Sequence, residues 1–475
     1  MRRPFLTTIA SLALLGCGDD IPDQTPTSEG SSTGSASTGT TGSPTTDTPM
    51  PTTSSDETTA GSDSTGPGAV CGNGELEPGE DCDDDNILDD DSCYSNCTIP
   101  YEVLWTQTFD DGEDDFATDA MFDAEGNLYV LGSSQTAGED SDVWLRQYLP
   151  DGRTGWTWTY DGTLGGDDFG RRMAWHPSGD LTIVGTEQTD QGDDVLVVRL
   201  ELAGQTVVWS QTVDGPDMGT EGEDDDFANA VTTDADGNVL VAATVRQVDQ
   251  EWDAWLRKYD ADGNEIWTVT HDEAMFSDSS DAVLVDAAGD IYLVGVVEVA
   301  NNQGEGWVRK LDTDGNIIWT NSVPGVLFSN AALDLEDNLV IAGFDIMAAT
   351  VDIWVGRYDP DFMELGTTTF GGSSGAGDFG RTVAVGSGGD VYVGGSIAVT
   401  GEQAQIWAGR YLPNLGDRRW RHEYGNERAN LVDEALGIAV SDDESRVGIV
   451  GFETVLGQGT NVWVRMLQNN PAPLL

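Results

Sequence analysis

From about residue 100 to the C-terminus the chain alternates short apolar runs with polar, turn-rich punctuation, and the same order of runs returns about every 52 residues. The first phrase of this unit reads Trp-Thr-x-Thr at its clearest. Trp105, Trp156, Trp209, Trp267, Trp319 and Trp420 open copies of it, with a degenerate one at Gly366. The second phrase is an apolar run ending in a turn, best seen from Ala228 to Asn238, and the third follows at once from Val239 to Ala243. The fourth, D-x-W-L-R-K-Y, is clearest at Asp253–Tyr259 and aligns Trp144, Leu196, Trp255, Trp307, Trp354, Trp407 and Trp463, which makes seven copies. Runs such as those around Tyr129/Leu131, Val239/Val241 and Tyr392/Gly394 are too short for buried helices and alternate or are wholly apolar, as strands are. The turns between them (DAEGN, DADGN, DTDGN) end in Gly and Asn, which accept positive φ at little steric cost. No window carries a sustained helical stripe, so the chain reads as all-β.

Four short strands per repeat of 40–50 residues is the signature of propeller blades. The phase of the repeat adds the closure. One extra Trp strand stands at the start, at Leu104–Phe109, and the last copy ends at Trp463–Leu467 without one. A seven-bladed β-propeller is therefore expected over residues 101–470, its N-terminal strand completing the last blade and removing the open edge of the ring.

The first hundred residues are organised differently. Two arginines precede an apolar run from Phe5 to Leu15, too short to span a bilayer and suited to a signal peptide over residues 1–16. Leu14-Leu15-Gly16-Cys17 resembles the bacterial lipoprotein lipobox, which implies acylation of Cys17. Two or more acyl chains hold a protein stably on a membrane. Residues 17–68 are almost wholly Ser, Thr, Gly, Pro and Asp, a composition that cannot bury enough apolar surface to order itself. This expected disordered tether would span roughly 40 Å as a flexible coil.

Residues 69–100 hold Cys71, Cys82, Cys93 and Cys97. In an exported chain four cysteines imply two disulfides, with three pairings open. The string CGNG, followed by ExGExCDDxN and then DxC and C, resembles the short cysteine-rich repeat of myxobacterial surface proteins, with Asp85 standing where that family usually has Gly. A zinc site is disfavoured by the spacings of 10, 10 and 3 intervening residues. The acidic run Asp83–Asp85 with Asp89–Asp91 does not follow EF-hand spacing and reads as solvated charge. The propeller phrases themselves resemble those of bacterial surface and secreted repeat propellers, a likeness that implies architecture rather than activity.

Composition narrows the partners. Asp and Glu number 85 against 21 Lys and Arg, a formal charge of −64, and Lys258 and Lys310 are the two lysines. Such a field repels nucleic acid and anionic headgroups, leaving the lipid anchor as the membrane contact. No catalytic set is legible. His176, His271 and His422 fall at different registers, no serine sits in a G-x-S-x-G elbow, and the repeated tryptophans read as blade packing.

One register draws more interest. Eight residues before the first turn residue lies an Asp in six of seven copies: Asp115, Asp168, Asp226, Asp278, Asp378 and Asp433, with Val326 the exception. Each stands where the chain enters the second phrase, taken as the innermost strand. Such an Asp either accepts backbone N–H bonds in its own loop or joins a ring of carboxylates that binds Ca²⁺ or a cationic ligand. The loops into the innermost strand, and those such as Ser133–Ser141, vary in length between blades and share one face, where binding would be sought first. The chain reads as an exported, lipid-anchored monomer at the cell envelope, outer membrane or cell surface. Its expected role is non-enzymatic: a binding or structural propeller for a protein or glycan. An extracytoplasmic enzyme acting on polysaccharide is the alternative.

Replacing Cys17 by Ser should release the protein from membranes, because the acyl chains are its one strong attachment. Unchanged fractionation of the variant with the membrane would refute the anchor.

Overall fold

The computed structural model describes residues 70–74, 82–83 and 93–469, apart from 191, 216–224, 247–251, 272–276, 300–302, 348–349, 401–402 and 426–430. The expected signal peptide, Cys17 and nearly all of the tether lie outside the described residues. The described chain forms 28 strands in seven four-stranded antiparallel sheets, with no helix among them and hence no helical membrane span. The first complete blade consists of Phe116–Phe122, Leu128–Gln135, Ser141–Tyr148 and Thr154–Tyr160, paired in that order from the axis outward. The seven innermost strands touch in sequence, and the strand at Glu434–Val440 returns to the one at Phe116–Phe122, closing a ring. This is the seven-bladed propeller that the repeat implies.

Closure occurs where the repeat phase puts it. Tyr101–Phe109 is the outer strand of the seventh blade and pairs antiparallel with Gly459–Asn469, from Tyr101 opposite Asn469 to Phe109 opposite Val462. Without this strand the last sheet would present a bare edge. Trp105 is half-buried rather than enclosed; it packs beside Val464 and Met466 in the core between the seventh and first blades.

Two tryptophan registers do different jobs. Trp144, Trp307, Trp407 and Trp463, on the third strands, are among the largest fully buried side chains and fill the spaces between sheets. Three of the outer-strand tryptophans instead latch their blade to the next. Trp105, Trp209 and Trp267 donate their indole N–H groups to the carbonyls of Pro150, Ala261 and Thr313, each in the last hairpin turn of the following blade. That turn needs glycine twice over. Gly263 has φ +83°, and a Cβ there would lie 2.8 Å from the Trp209 ring.

The acidic turns are self-contained. Asp123, Asp234, Asp286 and Asp334, in the first hairpin of their blades, each accept the N–H groups two and four residues on, and Asp260, Asp312 and Asp359 do the same in the last hairpin. Cations from the fourth phrase close on the first set: Lys258 on Asp234, Lys310 on Asp286, Arg357 on Asp334.

In the cysteine-rich module the pairing is nested, Cys71 with Cys97 and Cys82 with Cys93. Asp83 is a turn clamp here too, accepting the N–H groups of Gly72, Asn73 and Gly74. Tyr94 is buried, and its hydroxyl lies within electrostatic reach of Arg410 of the propeller.

Deleting residues 101–110 should cost much of the stability, since it exposes Val462, Val464 and Met466 together with a row of unpaired backbone groups. Each large buried side chain uncovered costs about 1.5–3 kcal/mol, against the roughly 5–15 kcal/mol of a typical domain. Calorimetry should show a lower, broader transition and aggregation. A truncated protein melting cooperatively within about two degrees of its parent would mean that the strand is not part of the ring.

Candidate functional site

The aspartate register is built from loops and strand ends. All six members are essentially buried. Asp115 accepts the N–H of Asp111 at 2.7 Å and that of Gln135 at 3.0 Å. Asp168 takes those of Gly162 and Gln188, Asp226 those of Gly215 and Arg246, and Asp378 those of Gly372 and Ala398. Asp433 takes that of Thr454. One oxygen holds the loop arriving from the preceding blade; the other holds the end of the neighbouring second strand. The exception at Val326 has a physical reason. The preceding strand ends at Pro324 and the innermost strand begins at Val326, so there is no loop to hold, whereas the other inbound loops have six residues or more.

Four of these carboxylates, Asp115, Asp168, Asp226 and Asp378, are therefore clamps between loop and strand, and Asp433 holds the strand end. Burial pushes Asp115 up to about 6 and Asp168 up to about 7, with the backbone N–H bonds pulling part of the way back. Two of the six also join acidic triads on the same face. Asp142, Asp161 and Asp168 bring carboxylate oxygens within 4.8 Å of one another, as do Asp194, Asp214 and Asp226. Oxygen-only groups at that spacing suit a hard cation such as Ca²⁺.

Three residues beyond each of these positions, the structure adds a feature that periodicity alone does not disclose. Every innermost strand carries a one-residue bulge against its second strand, where the pairing skips Thr118, Arg171, Asn229, Asp281, Ser329, Arg381 and Leu436 in the seven blades. A bulge turns its extra side chain away from the regular pleat. Here all seven line one cavity of about 130 Å³ in the mouth of the central channel. The bulge is also why the third phrase so often ends in glycine. A Cβ at Gly132, Gly185, Gly343 or Gly395 would lie within 2.1 Å of the carbonyl oxygen two residues before the bulge on the facing strand.

Leu327, Phe328 and Phe344 of the fifth blade with Leu436 and Phe452 of the seventh give apolar lining. Thr118, Arg171, Arg172, Asn229, Ser279 and Asp281 of the first four blades give polar lining, and Arg381 and Glu434 of the sixth and seventh blades add a charged pair. Most polar groups are already engaged. Thr118 donates to the Gly170 carbonyl, Asn229 to the Ser280 carbonyl, and Ser279 to Asp281. Arg381 forms an ion pair with Glu434 at 2.7 Å. The Arg172 guanidinium donates to the carbonyls of Thr118 and Arg171 and shares the channel with Asp119 and Asp281. Burial pushes Asp281 up to about 7, with the Ser279 hydrogen bond and Arg172 opposing.

The histidines are dispersed. His176 bonds Ser178 and the Gly237 carbonyl, His271 lies against the Trp307 ring, and His422 sits between Tyr101 and Arg465. The bulge residues escaped sequence reasoning. Their signal is a position where residue type changes freely from blade to blade, always three beyond the aspartate register.

The sequence matches no protein-family model, and no curated protein matches it. Solved structures share the architecture. A protein of unknown function from Dyadobacter fermentans is 12% identical, with 78% of this chain and 100% of that one covered, at a TM-score of 0.44. The periplasmic gluconolactonase of Pseudomonas aeruginosa is 14% identical over 67% and 87%, at 0.43. An ulvan lyase from a polysaccharide lyase family is 11% identical over 75% and 95%, at 0.48. These are likenesses of fold.

The shifted groups set a pH dependence. Asp115, Asp142, Asp168, Asp193 and Asp281 all have raised folded-state pKa values, with burial the main cause. They bind protons more tightly folded than unfolded, so their contribution to stability grows as pH falls through about 7 toward 4. His271 and His422, held by burial at about 4 and about 3, act in reverse and withdraw stability as pH falls below their ordinary value. The carboxylates are the more numerous, so Tm should rise from pH 8 to about 5.5 before turning down. His422→Gln should soften the acid-side fall. A Tm that is flat or higher at pH 8 would contradict this assignment.

Proposed function

We propose that this protein is a lipid-anchored binding module of the bacterial cell envelope, displaying its propeller on a stalk and a disulfide-bonded knob. The observation that carries the reading is the contrast between frame and ring. The same backbone, bulge included, recurs seven times, while the one side chain per blade turned into the channel differs almost freely: Thr, Arg, Asn, Asp, Ser, Arg and Leu. A constant scaffold with one freely varied position per repeat is how recognition surfaces are built. The lipobox-like Leu14–Cys17 and the long Ser/Thr/Gly-rich segment support display at a membrane surface, and the charge of −64 disfavours nucleic acid as the partner.

A second reading, an enzyme acting on polysaccharide, is favoured by one observation. Asp281 lines the channel mouth together with aromatic side chains, its carboxyl pushed up to about 7, where a group can both give and take a proton. Against it, the other carboxylate in the cavity, Glu434, is held by Arg381 and Ser396.

Capture of envelope glycans and proteins by the mature chain, with and without Ca²⁺, tests the binding reading. Retention should be lost when Arg171 or Leu436 is replaced by Glu and should survive Asp281→Asn. Turnover of an envelope polysaccharide that Asp281→Asn abolishes would instead establish the enzyme. Dependence on Ca²⁺, lost in Asp142→Asn, would place a cation at the first acidic triad.

A further inference from the structure

The cavity at the channel mouth has a definite chemical character. We propose that it takes a small organic monocarboxylate with an apolar, ring-sized body, the carboxylate lying on the Arg171–Arg172 side and the body against Phe328, Phe344 and Phe452. This deepens the binding reading of the same site and rests on it.

Three observations carry the assignment. The first is where the positive charge lies. The whole chain has 21 Lys and Arg against 85 Asp and Glu, yet three arginines line this one cavity. Arg381 is paired with Glu434, and Arg172 lies among Asp119 and Asp281. Arg171 has no carboxylate of the cavity paired with it. Among the described residues its Nε–H has no hydrogen-bond acceptor, and the guanidinium lies near Asp193 and 6.0 Å from the Phe227 ring centroid. The Arg171 side chain lines the cavity and is only partly buried, so its charge is available to an incoming carboxylate for charge-assisted bonds.

The second observation is what the remaining polar groups are doing. Thr118, Asn229 and Ser279 are bonded to neighbouring strands or to Asp281. With these three engaged, the Ser329 hydroxyl is the remaining uncharged polar side chain of the lining, which is little for a polyhydroxylated ligand, so a free sugar acid fits less well than a carboxylate with an apolar body.

The third is size and lining. A cavity of about 130 Å³ is close to the roughly 150 Å³ known to hold a benzene-sized molecule. The rings of Phe328, Phe344 and Phe452 give that body an apolar wall. The same chemistry could arrive as a free aromatic acid or as the C-terminal carboxylate of a peptide ending in an aromatic residue.

Benzoate is the direct probe, titrated calorimetrically or by ligand-observed NMR into the mature chain. Benzylamine, of the same shape and opposite charge, is the control. Benzoate should bind and benzylamine should not. Arg171→Met, which keeps the length of the side chain and removes its charge, should weaken benzoate about tenfold or more, as loss of a charge-assisted contact requires. If that variant is unstable, Leu436→Glu serves instead, adding a repelling carboxylate at another bulge position and likewise abolishing binding. A peptide ending in Phe with a free carboxylate, compared with its C-terminal amide, separates the sources. Tighter binding of the free-carboxylate peptide than of benzoate assigns a chain terminus, and binding of benzoate alone assigns a small acid. Equal binding of benzoate and benzylamine, no binding of benzoate or peptide at millimolar concentration, or benzoate affinity untouched in both variants would overturn the proposal. The titration needs no natural partner. Benzoate binding without capture of any envelope component would therefore retire the display role and leave the site intact.

Discussion

The fold depends on a ring of sheets having no free edge. Each blade covers its apolar face only by lying against two neighbours, as the inter-blade cores show: Val197 and Val241 pack in one, Val294 and Ile341 in another. A ring assembled this way holds only if the first and last blades meet, and here one sheet is shared by the two ends of the chain. Tyr101–Phe109 supplies the hydrogen bonds that Gly459–Asn469 would otherwise leave to solvent or to another molecule. Trp105, Trp209 and Trp267 repeat that logic on a smaller scale, each tying its blade to the turn of the next.

The acidity of the chain is in large part structural. Several hairpin turns open on an Asp that satisfies backbone N–H groups two and four residues along, and the loops into the inner strands are held by an Asp shared with the neighbouring strand. A carboxylate has four lone-pair sites and no donor of its own, so it gathers several N–H groups at a place where the chain makes no ladder. Repeating this device seven times concentrates negative charge. A small part of it is balanced by the few cations the sequence carries, as in Lys310 with Asp286 and Asp290.

The bulges convert this repetitive frame into a site. Shifting the pairing by one residue in every inner strand turns one side chain per blade toward the axis, and the glycines of the second strands make room for the displaced carbonyls. Ala243 stands at that place in the third blade, so a methyl group is accommodated there. The ring position can vary because the side chain at a bulge contributes little to the ladder. Thr118 and Asn229 are used to join blades, while Arg171 and Arg381 bring positive charge into an acidic molecule.

Blade number, strand order and the closing strand were legible in the sequence, because period-two runs, turn residues and the phase of a 52-residue repeat report backbone geometry directly. The aspartate register was legible as a position, but its role was not. Only the fold brings Gly162 and Gln188 to the two oxygens of Asp168, and only the missing loop explains Val326. The nested pairing of the four cysteines likewise needed spatial proximity, since spacing admits three solutions. The cavity was invisible along the chain for a further reason. Its lining comes from all seven blades, one bulge at a time, and Arg171, Phe328 and Phe452 become neighbours only when the ring closes.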